Sequence, residues 1–136
     1  MTKITVSALI NRPISEVWEK WTNPTHVMNW NFAHESWQCP KASSDFTIGG
    51  EFHYLMAAKD ASFEFDFWGT FHQIEAEKYI KILLGDGREM EVFFESKDEG
   101  VLVTEAFDPE NQNPPEMQQQ GWQAILNQFK KYVEEA

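Results

Sequence analysis

The chain contains a single cysteine, Cys39, among its 136 residues. One thiol cannot form an intramolecular disulfide, which excludes a disulfide-stapled scaffold and gives no indication of an oxidising compartment. No stretch approaches the roughly 18 apolar residues that a membrane-spanning helix needs. The amino-terminal sequence MTKITVSALI also lacks the apolar core and cleavage site of a signal peptide. We therefore expect a soluble, cytoplasmic protein without membrane insertion.

Basic residues are scarce as well, with 11 Lys and Arg against 22 Asp and Glu and a net charge of −11. Such a charge opposes binding to nucleic-acid phosphates and to anionic membrane surfaces, so no nucleic-acid partner is expected. A basic protein partner, or solubility alone, agrees better with it. The length is that of one ordinary domain that can bury a core without metal or disulfide staples. We expect a single domain over residues 1–136.

Aromatic residues, in contrast, are abundant: they make up 15% of the chain, with 11 Phe and 6 Trp. This many rings can fill a core, or can line a cavity that a small molecule occupies. The segment WNFAHESWQCP, residues 30–40, concentrates them between a helical beginning and a run of strands. Connections usually run over the surface and are polar, so a connection this rich in rings is unusual.

Periodicity predicts a strand followed by two short helices at the start of the chain. Residues 3–10 alternate between apolar and polar side chains, as in a strand with one buried face. Pro13 opens a helix with apolar residues three and four apart. Asn23 and Pro24 are typical of a helix start, so a second short helix is expected through about Trp30.

Strand patterns and turn signals dominate the middle of the chain. Strands are expected over 45–48, 51–58, 63–74, 79–84, 88–95 and 101–107, joined by short turns such as Gly85-Asp86-Gly87. Short turns imply antiparallel neighbours, because parallel strands need long crossovers. From about Glu116 an amphipathic helix runs to the end, with Trp122, Ile125, Phe129 and Val133 on one stripe.

These elements predict an α+β helix-grip fold. A curved antiparallel sheet of about six to seven strands would wrap around the long C-terminal helix, with the two short helices after strand one. This arrangement lets every apolar face of the chain be buried against another element.

Short segments in a fixed order also carry a family likeness: PISEVW at 13–18, Trp30, GGEF at 49–52, GTF at 69–71 and GWQAIL at 121–126. Together they resemble the START-like superfamily, also called SRPBCC or birch-pollen-allergen-like, and within it the branch named for the activator of the Hsp90 ATPase. The segments WNFA at 30–33, AKD at 58–60, FDF at 65–67 and FDPE at 107–110 are similar to an uncharacterised bacterial subgroup. The resemblance covers essentially the whole chain.

The resemblance implies a cavity between helix and sheet. Proteins of this fold bind lipids, sterols, polyketides or flavonoid-like molecules, or serve as protein-interaction domains, and some are cyclases or hydrolases. We expect non-enzymatic binding of a small hydrophobic or aromatic ligand, with no cofactor. The alternative is a protein-interaction or co-chaperone-like module that binds a chaperone or another protein. A cyclase-like or hydrolase-like enzyme is the third hypothesis, and it would need a titratable group buried in the cavity.

Strand alternation and the helix stripe predict the ligand-binding residues of the sheet and of the last helix. The resemblance implies that Trp30, Phe32 and Trp37 turn inward at the mouth of the cavity, so that the ring-rich segment is a connection with a buried side. Tyr54 and Asn31 would supply polar groups that orient a ligand. The other interpretation is that the rings of residues 30–40 simply pack the core. The expected lining residues are Trp30, Asn31, Phe32, Trp37, Phe52, Tyr54, Met56, Phe65, Phe67, Phe71, Trp122, Ile125 and Phe129.

Cys39 with His26 and His34 could suggest a thiol nucleophile or a metal site. Their spacing matches no zinc pattern, so a packed or lightly exposed thiol and no metal are expected. Gly49-Gly50 lacks the helix start and lysine of a phosphate-binding loop, and it is interpreted as a bulge or tight turn.

Two pairs of polar residues on the strands could also carry chemistry. Glu64 and Asp66 could act as an acid–base pair, but their phenylalanine neighbours claim the apolar face, so both carboxylates should face water. His53 and His72 occupy the polar side of their strands, and solvated histidines are expected. We identify no catalytic constellation in the sequence.

Overall fold

The computed structural model describes residues 3–135, and within them seven antiparallel strands form one sheet in the order β1-β7-β6-β5-β4-β3-β2. A long helix packs on the sheet and two short helices follow the first strand, which confirms the expected helix-grip fold. The elements are β1 (Ile4–Ile10), α1 (Ile14–Thr22), α2 (Pro24–Val27), β2 (Trp37–Ser44), β3 (Glu51–Ala58), β4 (Glu64–Glu75), β5 (Tyr79–Leu84), β6 (Glu89–Lys97), β7 (Gly100–Phe107) and α3 (Pro115–Glu135).

Prolines and one asparagine define where the short helices begin. Pro13 holds an extended conformation immediately before α1, with φ −62° and ψ 151°. The Asn23 side chain accepts a hydrogen bond from the Thr25 backbone N–H at 2.9 Å, and Pro24 occupies the first helical position. The expectation that α2 extends to Trp30 is wrong, because the helix ends at Val27 and the chain continues as a turn.

The expected strand over 45–48 is also wrong, because the second strand is Trp37–Ser44 and therefore begins inside the ring-rich segment. In the sequence Pro40 argues against a strand here, since proline has no backbone N–H to donate to a neighbouring strand. It is tolerated here because β2 is an edge strand that pairs only with β3, with a register shift between Gln38 and Lys41. Residues 45–50 form the turn between the two strands.

The core lies between the concave face of the sheet and α3. From the helix, Leu126, Phe129 and Val133 are fully buried. The Trp122 ring stacks on Phe107 of β7, with centroids 3.8 Å apart and planes 11° apart. From the sheet, alternate residues are buried: Ile80, Ile82, Leu84, Met90, Val92, Phe94, Val101, Val103 and Phe107.

Polar side chains of α3 also form hydrogen bonds with the backbone of β1, which is an edge strand of the sheet. An edge strand carries backbone carbonyls without a strand partner, and alternate carbonyls of β1 accept hydrogen bonds from the helix. The pairs are Gln119 Nε2 to Thr5 O (3.3 Å), Gln123 Nε2 to Ser7 O (3.0 Å) and Lys130 Nζ to Leu9 O (2.5 Å). The helix consequently lies closer to β1 than to any other strand, and space remains over the far half of the sheet.

Among residues 3–135, no helix has both the length and the apolar character needed to cross a bilayer.

Two glycine-to-alanine substitutions should move stability in opposite directions. Gly100 has φ +146°, and a Cβ there would lie 2.1 Å from the Ile10 carbonyl oxygen, so Gly100→Ala should lower the free energy of unfolding by about 1–4 kcal/mol. Gly121 lies in α3 with open space around its Cα, so Gly121→Ala should raise the free energy of unfolding by about 0.5–1 kcal/mol. Urea unfolding measures both. An unchanged midpoint for Gly100→Ala would contradict the described junction of β1 and β7.

Candidate functional site

A cavity of about 350 Å³ lies between α3 and the far half of the sheet. Its walls are mainly aromatic and aliphatic, and this volume lies within the range of pockets that hold small molecules. The cavity exists because α3 follows β1, while β3 to β6 curve around a space that the helix side chains do not fill.

Most of the residues expected to bind ligand line this cavity. Strand alternation places the side chains of β3 and β4 on the concave face, and the stripe of α3 faces them. The expected residues found in the wall are Trp30, Asn31, Phe52, Tyr54, Met56, Phe65, Phe67, Phe71, Trp122 and Ile125.

Phe129 was expected in the wall but lies behind it. Its ring is fully buried and packs edge-on against Trp21 and Trp30, with centroids 4.9 and 4.8 Å away. These two indoles stand between Phe129 and the cavity, so Phe129 supports the wall without forming it.

Phe32 and Trp37 also lie away from the cavity. Trp37 begins β2 at the sheet edge, where its ring packs against Phe63 and Phe65 with centroids 6.1 and 6.3 Å apart. Phe32 is half-buried and is not part of the lining. The ring-rich segment therefore supplies a wall only through its first two residues.

Those two residues, Trp30 and Asn31, are held in place by hydrogen bonds. The Trp30 indole N–H donates to the Lys20 carbonyl at 2.9 Å, and its ring stacks on Trp21 with centroids 4.9 Å apart. The buried Asn31 amide donates to the Met56 sulfur at 3.2 Å. Trp30 therefore packs in the core and also lines the cavity, so the two interpretations of this segment do not exclude each other.

Several lining residues were missed from the sequence. Trp21 and Thr22 come from the end of α1, and Phe46 comes from the turn that had been expected to be a strand. The alternation of β5, β6 and β7 would have indicated the others on the concave face: Ile80, Ile82, Met90 and Glu105.

Polar residues at the rim connect the start of α3 to the loop before it. The Gln118 side chain accepts a hydrogen bond from Glu110 N at 2.9 Å and donates to the carbonyls of Glu110 and Asn113 at 3.0 and 2.7 Å. The Arg88 Nε donates to Asp86 Oδ2 at 2.8 Å. These contacts tie the rim side chains to protein partners, so they hold the mouth in shape.

Glu105 differs from the rim groups because it lies deep in the wall. It sits in the middle of β7, opposite Val6 of β1 and Val92 of β6, and is 5% exposed. Among residues 3–135, no side chain or backbone group donates a hydrogen bond to its carboxyl, and burial raises the pKa of Glu105 to about 8. The carboxyl is therefore protonated and uncharged at neutral pH.

Tyr54 supplies a second polar group. Its hydroxyl has no hydrogen-bond partner among residues 3–135, and burial raises the pKa of Tyr54 far above its usual range. A neutral carboxylic acid and a neutral phenol are thus the polar groups that the wall offers to a ligand.

Cys39 and the nearby histidines do not form one site. Burial raises the pKa of the Cys39 thiol to about 11, so it is not a thiolate at neutral pH. His26 Nδ1 lies 2.7 Å from the Tyr132 hydroxyl, and His34 Nδ1 lies 2.9 Å from the Ser36 hydroxyl. Within residues 3–135 there is no group of His, Cys, Asp and Glu side chains that could hold a metal ion.

The carboxylates of β4 face water, as expected. Glu64 and Asp66 are exposed on the sheet, and Asp66 Oδ2 lies 2.7 Å from His53 Nδ1. His53 also contacts Glu51 at 3.0 Å and stacks on Trp68 with centroids 5.5 Å apart. The hydrogen bond to Asp66 raises the pKa of His53. This cluster lies outside the cavity.

The curved sheet, the long helix α3 packed on it and the cavity between them define a START-like helix-grip protein. Residues 11–134 match the model of one family within that class, described as activator of Hsp90 ATPase homolog 1-like protein. The chain belongs to this family.

Two solved structures share much of this sequence. The solution structure of an AHSA1-like protein from Aeromonas hydrophila is 43% identical with a TM-score of 0.92, and the match covers 98% of this chain and 92% of that one. A solution structure from Cytophaga hutchinsonii is 44% identical with a TM-score of 0.85, over the same shares of the two chains. Both structures are of bacterial proteins.

More distant relatives share the fold alone. A crystal structure from Chromobacterium violaceum is 19% identical with a TM-score of 0.86, and the match covers 98% of this chain and 99% of that one. No curated protein matches the chain.

The buried carboxyl should make stability depend on pH. Below pH 4.5 both states hold the proton, whereas between 4.5 and about 8 the unfolded chain releases it and the folded protein keeps it. The contribution of Glu105 to the free energy of unfolding therefore falls as pH rises through this window. Glu105→Gln has no carboxyl to titrate at this position. The free energy of unfolding of the variant minus that of the wild type should therefore rise by about 2–4 kcal/mol between pH 5 and pH 9.

Denaturant unfolding at a series of pH values measures this difference. The matched control is Glu64→Gln, the same substitution at an exposed position of β4. A constant difference for Glu105→Gln would show that the Glu105 carboxyl is solvated or paired.

Proposed function

We propose that this protein binds a small, mainly apolar molecule in the cavity between α3 and the sheet, without catalysing a reaction on it. The observation that carries the proposal is an aromatic-walled space of about 350 Å³ directly under the helix. Protein interiors pack to crystal density and rarely leave voids larger than a water molecule. An unfilled apolar space lowers stability, so its retention supports a ligand that fills it.

The walls support a preformed site. Trp122 is stacked on Phe107, and Phe52 packs against Phe67 and Phe71 with centroids 5.8 and 5.4 Å apart. Rings held by other rings lose little freedom when a ligand enters, which favours affinity. Phe65 lines the cavity and is still 44% exposed, so the wall reaches the surface at that point and gives a ligand a way in.

A cyclase-like or hydrolase-like enzyme would need two features, and the described residues supply only one of them. Glu105 is the buried titratable group that such an enzyme needs. General acid–base chemistry also needs the acting groups within hydrogen-bond reach of each other or of the reacting atom. Among residues 3–135, no hydrogen bond joins Glu105 to a second titratable side chain, and this favours binding over catalysis.

A second candidate function is interaction with a chaperone, as the family description suggests. The exposed aromatic edge formed by Trp37, Phe63 and Phe65 favours it, because Phe63 is 58% exposed and Phe65 is 44% exposed. The ATPase rate of an Hsp90-type chaperone, measured with and without this protein, tests the idea. Replacing Phe63 and Phe65 with Ser should abolish any stimulation, and a rate that never changes would exclude this function.

Filling the cavity should abolish ligand binding. The probe is N-phenyl-1-naphthylamine, a neutral dye that brightens in apolar surroundings. Ile125→Trp places an extra ring into the space, so we expect at least about tenfold weaker dye binding than in the wild type. Leu102→Trp adds the same ring to the opposite face of β7 and should change the Kd less than about twofold.

Fluorescence titration gives the dissociation constants, and urea unfolding checks that both variants are folded. Absence of dye binding to the wild type, or equal binding by all three proteins, would refute ligand binding in this cavity.

A further inference from the structure

We propose that Glu105 is the recognition point of the cavity and that its carboxyl donates a hydrogen bond to a carbonyl oxygen of an uncharged aromatic ligand. The inference rests on the proposed function and narrows it. The expected ligands change from any apolar molecule to aromatic ketones and related carbonyl compounds.

The position of Glu105 supports a role toward a ligand. Along β7 its inward-facing neighbours are Val103 and Phe107, and across the sheet they are Val6 and Val92, all of them buried. A carboxyl in the middle of this apolar surface contributes nothing to packing that an aliphatic side chain would not supply. It does place a polar atom at the cavity wall, where a ligand can reach it.

Glu105 and Tyr54 differ from the other polar residues in the wall, because neither side chain has a hydrogen-bond partner among residues 3–135. Thr22 donates to the Trp18 carbonyl at 2.9 Å, Asn31 donates to Met56, and Gln118 makes three hydrogen bonds. Among residues 3–135, none donates to or accepts from the Glu105 carboxyl. Buried polar groups are nearly always paired, because an unpaired one costs free energy. A ligand acceptor would satisfy this group.

The surrounding charges decide which ligand chemistry suits Glu105. The titratable groups that line the cavity with it are Tyr54, Arg88 and Glu110. The Arg88 guanidinium is engaged by Asp86, and no cation lies within hydrogen-bond distance of Glu105 among residues 3–135. Burial therefore keeps the proton on the carboxyl at neutral pH, and it acts as an O–H donor. A carbonyl accepts this hydrogen bond without bringing a second charge into the apolar site.

The shape of the wall suits a flat ligand. The faces and edges of Phe52, Phe67 and Trp122 surround the space, and stacked or edge-on contacts with planar rings are favourable. A ring system that carries one carbonyl group therefore matches both the aromatic walls and the buried acid, Glu105.

Three size-matched naphthalenes test the proposal: 2-ethylnaphthalene, 2-acetylnaphthalene and 2-(aminomethyl)naphthalene. Displacement of the bound dye gives their affinities at pH 6.5 and pH 9.5. The acetyl compound should bind about tenfold more tightly than the ethyl compound at pH 6.5. The preference should vanish at pH 9.5, because the carboxylate has no proton to donate. Glu110 is ionised and Tyr54 neutral at both pH values, since the pKa of Glu110 is lowered and that of Tyr54 raised.

Two variants assign the effect to Glu105. Glu105→Gln retains an N–H donor that does not titrate, so its preference for the acetyl compound should persist at both pH values. Glu105→Leu removes the donor, so both compounds should bind with equal affinity. If Glu105→Leu does not fold, the loss of pH dependence in Glu105→Gln still decides the matter.

The outcomes separate this inference from the proposed function. Equal binding of the ethyl and acetyl compounds to the wild type overturns the role of Glu105 and leaves apolar binding intact. Absence of binding by both overturns the two together. Tightest binding of the aminomethyl compound at pH 6.5 overturns carbonyl recognition in favour of an ion pair.

Discussion

The seating of α3 on the β1 side of the sheet is the constraint on which the rest of the structure depends. Stacking of Trp122 on Phe107 anchors the apolar stripe of the helix, while Gln123 and Lys130 bond to the free carbonyls of the edge strand. Both sets of contacts draw the helix toward one edge. The curved sheet continues beyond the reach of the helix side chains, and the cavity is the space that remains between them.

This geometry also explains the unusual chemistry of Glu105. The inward row of β7 is apolar on both sides of Glu105, so burial removes water from the carboxyl, and no group in the described part of the chain replaces it as a hydrogen-bond partner. Desolvation alone then favours the neutral form. In a protein with a net charge of −11, this makes one acid behave as an uncharged donor. Such a group suits recognition of a neutral ligand, and it acquires catalytic value only if a second titratable group is placed beside it.

The aromatic segment at 30–40 shows where local patterns stop being informative. The buried side that the family resemblance implied is present, and Trp30 both packs in the core and lines the cavity. The strand that begins at Trp37 was missed because Pro40 argues against a strand except at a sheet edge. Edge position is a property of the assembled sheet and cannot be known from the segment. Glu105, however, was visible in the alternation of residues 101–107 and could have been found.

The residues alone determined the order of elements, the antiparallel pairing, the amphipathic C-terminal helix and ten of the 21 residues that line the cavity. Periodicity, helix caps and turn chemistry are local, so a short window of sequence contains them. Only the tertiary structure decided that the space under α3 stays open, that Phe129 lies behind the wall, and that Glu105 has no hydrogen-bond partner within residues 3–135. Those facts depend on distances between elements far apart in the chain, which no local pattern of residues encodes.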